Sequence, residues 1–148
     1  MHVRTLAADI YRQAGIDERS REGIGYLALA LLGLDGADYA PEDQDKPFVL
    51  ERDPWRLLVR EDLPRAERTF AIACGIAQWW LATKSLETVT AESLAIELVA
   101  PESALLEALE ILGPDERALA DDFVCPAWVI RSQLADPWRF GRASQRTA

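Results

Sequence analysis

Few residue types able to do chemistry stand here in a usable arrangement. The chain of 148 residues has one histidine, His2, and two cysteines, Cys74 and Cys125. A serine–histidine–aspartate triad or a cysteine–histidine dyad needs an imidazole held against its nucleophile inside the fold, and His2 sits at the N-terminal end. Downstream of Cys74 lie Glu87, Glu92 and Glu97. On a helix Glu92 and Glu97 are about 500° apart at roughly 100° per residue, so they do not share a face. Glu87 precedes that helix. All three read as solvated charges, and no paired-carboxylate acid/base site is expected.

Cys74 lies in the segment Arg68–Leu81, Arg-Thr-Phe-Ala-Ile-Ala-Cys-Gly-Ile-Ala-Gln-Trp-Trp-Leu, and a second segment, Ala91–Pro101, reads Ala-Glu-Ser-Leu-Ala-Ile-Glu-Leu-Val-Ala-Pro. Their frame, with Arg68, Phe70, Ala73 and Leu81 around the centre of the first, resembles the ImmA/IrrE family of metallopeptidases. That family reads roughly Arg-x-Phe-x-x-Ala-His-Glu-x-Gly-His-x-Leu, followed by Ala-Asn-x-Phe-Ala-x-x-Leu-Leu-Met-Pro. Two histidines at i and i+4 share a helix face and hold zinc, and the glutamate beside the first activates the bound water. The resemblance puts the two ligand positions at Cys74 and Gln78, the base at Gly75, and the third, acidic ligand at Thr88 or Thr90. A thiolate binds zinc well, but Gln78 is a poor ligand and threonine brings no charge. Gly75 has no side chain with which to act as a base. The catalytic set is therefore vestigial, and neither metal nor cofactor is expected. Glycine within a helix costs about 1 kcal/mol relative to alanine, so Gly75 predicts close approach by a neighbouring element.

The elements that would position this segment follow from periodicity. Val3, Leu6, Ala7, Ile10, Tyr11 and Ala14 have helical spacing and Gly15 is a stop signal. A second helix is expected from near Ser20 through Ile24, Leu27, Ala28 and Leu31 to Gly33, giving a helical pair over 1–33. Residues 35–47, rich in Asp, Pro and Gly, read as a loop. Alternation in Phe48–Glu51 and Trp55–Arg60 around Asp53-Pro54 predicts a hairpin or part of a three-stranded sheet over 46–63. The vestigial helix is expected over 65–83. Helices over 88–136 follow, with Thr90 as an N-cap, Pro101 opening a helix and Gly113-Pro114 closing it.

Leu119–Leu134 resembles the helix-turn-helix-like end common in the same family, with Pro126 opening its second helix. A DNA-reading helix presents Arg, Lys, Asn or Gln near its start, whereas this one presents Ala127 and Trp128, with Arg131 and Gln133 later. Arg131 and the basic tail over 137–148, with Arg139, Arg142 and Arg146, are the candidates for phosphate contact. A formal net charge of −9 argues against a general nucleic-acid surface.

The length suits one domain, and two cysteines in apolar contexts read as buried thiols in a cytoplasmic protein rather than a disulfide framework. The N-terminal residues carry a helical period and no continuous apolar run, so no signal peptide is expected. The most apolar stretch, Phe70–Ala82, has thirteen residues interrupted by Gln78, short of the ~20 that span a membrane. The expected fold is α+β and mostly helical: a zincin-like, ImmA/IrrE-type domain with a small antiparallel sheet and a C-terminal helix-turn-helix-like pair.

In zincins the sheet edge can hold an extended peptide by strand addition, which makes Trp55, Leu57 and Val59 candidates for partner contact. Trp79 and Trp80 join them beside the vestigial site, one ring facing the core and the other the cleft edge. Active members of the family act on helix-turn-helix repressors in phage, stress-response and toxin–antitoxin circuits. The resemblance implies a catalytically inactive relative that regulates by binding such a protein. Two alternatives are an atypical metal-dependent hydrolase with a non-standard site and a DNA-binding regulator working through its C-terminal helices and tail.

Overall fold

The computed structural model describes residues 2–20, 23, 24, 27, 31, 38–40, 45–52, 54–86 and 89–135. Helix α1 spans Val3–Ala14. His2, the lone histidine, caps it: its Nδ1 accepts the backbone N–H of Arg4 at 3.2 Å. Gly15 ends it in the left-handed region at φ 72°, where a Cβ would be strained. Ile24, Leu27 and Leu31 are helical, as expected, and Ile24 and Leu27 are buried; Ala28 and Gly33 lie outside the described residues.

Strands β1 (Asp38–Ala40), β2 (Phe48–Glu51) and β3 (Arg56–Arg60) form one sheet of order β1-β3-β2. The expected hairpin is present, with β2 antiparallel to β3 in the register Phe48↔Val59 to Glu51↔Arg56. The sheet is mixed, not purely antiparallel, because β1 pairs parallel with Leu58–Arg60. β1 also falls within 35–47, read from composition as a loop. Asp-Tyr-Ala has no strand pattern of its own, and its conformation is supplied by pairing with β3.

Helix α2 (Arg65–Lys84) runs through the middle of the molecule. It packs most extensively on α3 (Ala91–Val99) and also touches β2 and β3. Burial from two sides explains why Ala71, Ala73, Gly75, Ile76, Ala77, Trp80 and Leu81 do not fall on one stripe. Helices α4 (Glu102–Leu112), α5 (Glu116–Phe123) and α6 (Ala127–Leu134) complete the described helices. Gly113 closes α4 as its spacing predicts, while Pro101 and Pro126 each stand one residue ahead of their helices as the N-cap. The main core gathers Leu6, Ile10, Leu27, Ile76, Leu94, Leu98, Leu105, Leu119 and Ile130, all shielded from solvent. A smaller cluster of Leu57, Val59 and Ala71 lies between the sheet and α2.

Glu97 corrects the reading of the acids as solvated. It is only 3% exposed and has interaction partners within the fold. Leu94–Val99 is buried on every face, so α3 has no solvent side at that level. Glu92 is exposed, and Glu87 lies outside the described residues.

Thr90 caps α3. Its Oγ1 accepts the Ser93 backbone N–H at 3.1 Å, while the Ser93 hydroxyl donates to the Thr90 carbonyl at 2.9 Å. Thr90→Val removes the acceptor and keeps the shape. We expect a loss of about 1 kcal/mol and a fall in thermal midpoint of roughly 2–4 °C; a calorimetric midpoint equal to that of the parent would refute the cap's contribution.

Candidate functional site

Of the five positions that the resemblance assigns to catalysis, Gly75 is built into packing. Gly75 is buried, and a Cβ placed there would stand 2.4 and 2.8 Å from the two Cδ atoms of Leu57 and 3.1 Å from its Cγ. Leu57, fully buried on β3, occupies the space a side chain at Gly75 would need. This is the close approach that a helical glycine predicts. A side chain at that position would have to displace Leu57.

Cys74, one residue earlier, is half-buried. Burial, with the Glu92 carboxylate adding to it, pushes its thiol up to about 12. A thiol so held stays protonated in the metal-free protein. Gln78 is exposed, Thr90 is engaged as an N-cap, and Thr88 lies outside the described residues. No cluster of three or more His, Cys, Asp or Glu able to hold a metal occurs among the described residues. This donor set does not fit the zinc of the peptidases. Cys125 is buried, and burial likewise takes its thiol to about 12.

The partner candidates divide. Leu57 and Val59 are fully buried, and β3 is the middle strand with a neighbour on each side. That corrects the expectation that the strand carrying Leu57 and Val59 offers an edge for strand addition: both edges of β3 are taken, and β2 is an outer strand. Trp80 is also withdrawn from solvent, 5% exposed, with Lys84 Nζ 5.0 Å from its ring centroid. Trp79 is half-buried, edge-on to Trp80 at 6.0 Å. Trp55 is half-buried in the β2–β3 turn, with the Arg52 guanidinium 5.2 Å from its ring centroid.

The C-terminal segment forms the two expected helices, joined at Val124–Pro126. Asp115 caps α5 through the N–H groups of Arg117 and Ala118, a start signal the sequence reading missed. Trp128 is 42% exposed and packs edge-on against Phe70 of α2 at 4.9 Å. Arg131 forms an exposed ion pair with Glu116 of α5 at 3.1 Å, so its charge is partly answered within the pair. Arg139, Arg142 and Arg146 lie outside the described residues.

Sequence reasoning also missed a cleft of about 340 Å³ among α1, α2, α3 and α5, with Arg65, Arg68, Ile72, Val99, Phe123 and Val124 on its walls. Arg68 stood out only as part of the frame that resembles the peptidase family, and nothing in the local sequence marked Val124. No helix among the described residues is long and apolar enough to cross a membrane.

Comparison with family models finds no match, and none of the curated proteins matches. Among solved structures the chain is similar to a Mycobacterium tuberculosis transcriptional regulator, with a TM-score of 0.62 and 18% identity, over 90% of this chain and 46% of that one. At that identity the likeness is one of fold, and this chain spans less than half of its neighbour's length.

Two measurements probe this geometry. Gly75→Ala gains about 1 kcal/mol of helix propensity but forces overpacking against Leu57, which costs about 1–3 kcal/mol. The expected outcome is net destabilisation in the parent and stabilisation in a Leu57→Ala background, with the sign reversal read by urea titration. A gain in both backgrounds would show that Leu57 is not the obstacle. Separately, both thiols should alkylate with iodoacetamide at pH 8 at least ~100-fold more slowly than free cysteine, and rapidly in urea. Fast reaction of Cys74 in the folded protein would contradict its burial.

Proposed function

We propose that this chain is a non-catalytic regulatory module on a zincin-like, peptidase-derived scaffold, acting in transcriptional control by binding a protein partner. The observation that carries this reading is Leu57 lodged over Gly75: the position of the catalytic base has been given over to core packing. The name of the structural neighbour, a transcriptional regulator, is in keeping with it. The surface offered to a partner is the outer edge of β2 with Trp55 at the adjoining turn, where an extended segment adds its main chain and the indole supplies an apolar anchor. A helix-turn-helix repressor is the class of partner that the peptidase resemblance suggests.

A second reading, direct DNA contact, draws on the α5–α6 pair and the same neighbour. Asp121 and Asp122 at the exposed end of α5 oppose it, as does the engagement of Arg131 by Glu116.

The test is affinity capture of the tagged chain from its native host, with Trp55→Ala as control. Trp55→Ala is expected to reduce recovery of the partner at least ~10-fold without changing the thermal midpoint. Recovery unaffected by Trp55→Ala would remove the β2 surface from the proposal. Failure to retain any protein, together with a mobility shift on DNA that weakens steeply with salt, would favour the second reading. Stoichiometric zinc in the purified protein would overturn the non-catalytic assignment.

A further inference from the structure

The cleft among α1, α2, α3 and α5 includes none of the positions that the resemblance assigns to catalysis, yet its construction is that of a ligand site. Its volume, about 340 Å³, falls within the ~300–1,000 Å³ of small-molecule pockets. Its inner wall is apolar: Leu98 is fully buried, Ile24, Val99 and Phe123 are each 7% exposed, and Ile72 is half-buried. Arg65 and Arg68 reach it from the first turn of α2, three residues apart on one helix face. The positive end of the helix dipole adds to their charge there.

The acids nearby are already engaged. Asp17 accepts the Arg19 backbone N–H at 2.9 Å and lies 3.4 Å from its Nε, Glu18 accepts the Ser103 hydroxyl at 2.8 Å, and Asp122, which also lines the cleft, has an interaction partner of its own. Arg65 is exposed, and no described residue forms an ion pair with it. A planar guanidinium at the mouth of an apolar pocket suits a carboxylate with a hydrocarbon body, since its fork matches both oxygens.

The opposite wall is the turn of the helix pair. Val124 stands at φ 53°, ψ 53°, a region that a β-branched side chain enters only with strain. The strain is held by the Val124 N–H on the Asp121 carbonyl at 3.3 Å and the Cys125 N–H on the Ala120 carbonyl at 3.0 Å. Val124 leads directly into α6 and Trp128, so a body lodged against it bears on how α6 is set.

We propose that this cleft binds a small monocarboxylate with an apolar body, and that occupancy is transmitted through Val124 to α6. The proposal is independent of the β2 surface, and either can fail while the other stands.

The test is an amide-resolved NMR titration of the full chain with straight-chain monocarboxylates from butanoate to decanoate, each paired with its primary amide. Saturable shifts are expected at Ile72, Val99 and Val124, with affinity rising with chain length until the cleft is filled. The uncharged amides and Arg65→Glu should each bind about 10- to 100-fold more weakly, the range for a hydrogen bond to a charged group. Arg65→Glu should keep the parent's thermal midpoint because Arg65 is exposed. At saturation the Trp128 indole N–H should also shift, and less so in Val124→Gly. Absence of saturable shifts with any chain length overturns the site. Equal binding of acid and amide overturns the carboxylate assignment, and a Trp128 signal unmoved at saturation overturns the coupling to α6.

Discussion

The contact between Leu57 and Gly75 sets the arrangement of everything around it. A helix that must carry a sheet on one side and another helix on the other needs a place where the sheet can come close. Gly75 provides it, and the side chain of Leu57 fills it. From that contact the order of the sheet acquires its meaning: β3 is pressed against α2 as the middle strand, β2 and β1 are the strands beside it, and the small cluster of Leu57, Val59 and Ala71 closes between the layers. The same contact occupies the position to which the peptidase resemblance would assign a base.

On its other face α2 leans on α3, and α3 is the element around which the helices are tied. Thr90 fixes its start. At its end the buried Gln133 side chain of α6 donates to the Ala100 carbonyl at 2.8 Å. Arg4 pairs with Glu102, and Ser103 donates to Glu18 at 2.8 Å, which joins the start of α4 to α1 and the loop after it. Phe70 against Trp128 links the central helix to the C-terminal pair. These ties run from helix to helix, and they hold the cleft walls in place.

Local sequence determined the helices well. His2 and Gly15 bracket α1, Thr90 caps α3 and Gly113 closes α4, because capping and termination depend on residues within one turn of each other. The hairpin was legible from alternation, and the closeness at Gly75 from the cost of glycine inside a helix.

What only tertiary structure decided were relations between segments distant in the chain. Asp38–Ala40 is a strand because Leu58–Arg60 lies beside it, and that pairing makes β3 central, so Leu57 and Val59 became core instead of an edge. Glu97 is buried because α3 is surrounded, a fact its own spacing does not carry. The partner for Gly75's open space could be named only once the sheet was docked. The cleft is assembled from four helices and the turn at Val124, whose left-handed backbone a β-branched residue gives no reason to expect. Periodicity and capping report on neighbours along the chain; strand order, burial of charge and cavities depend on which distant surfaces meet.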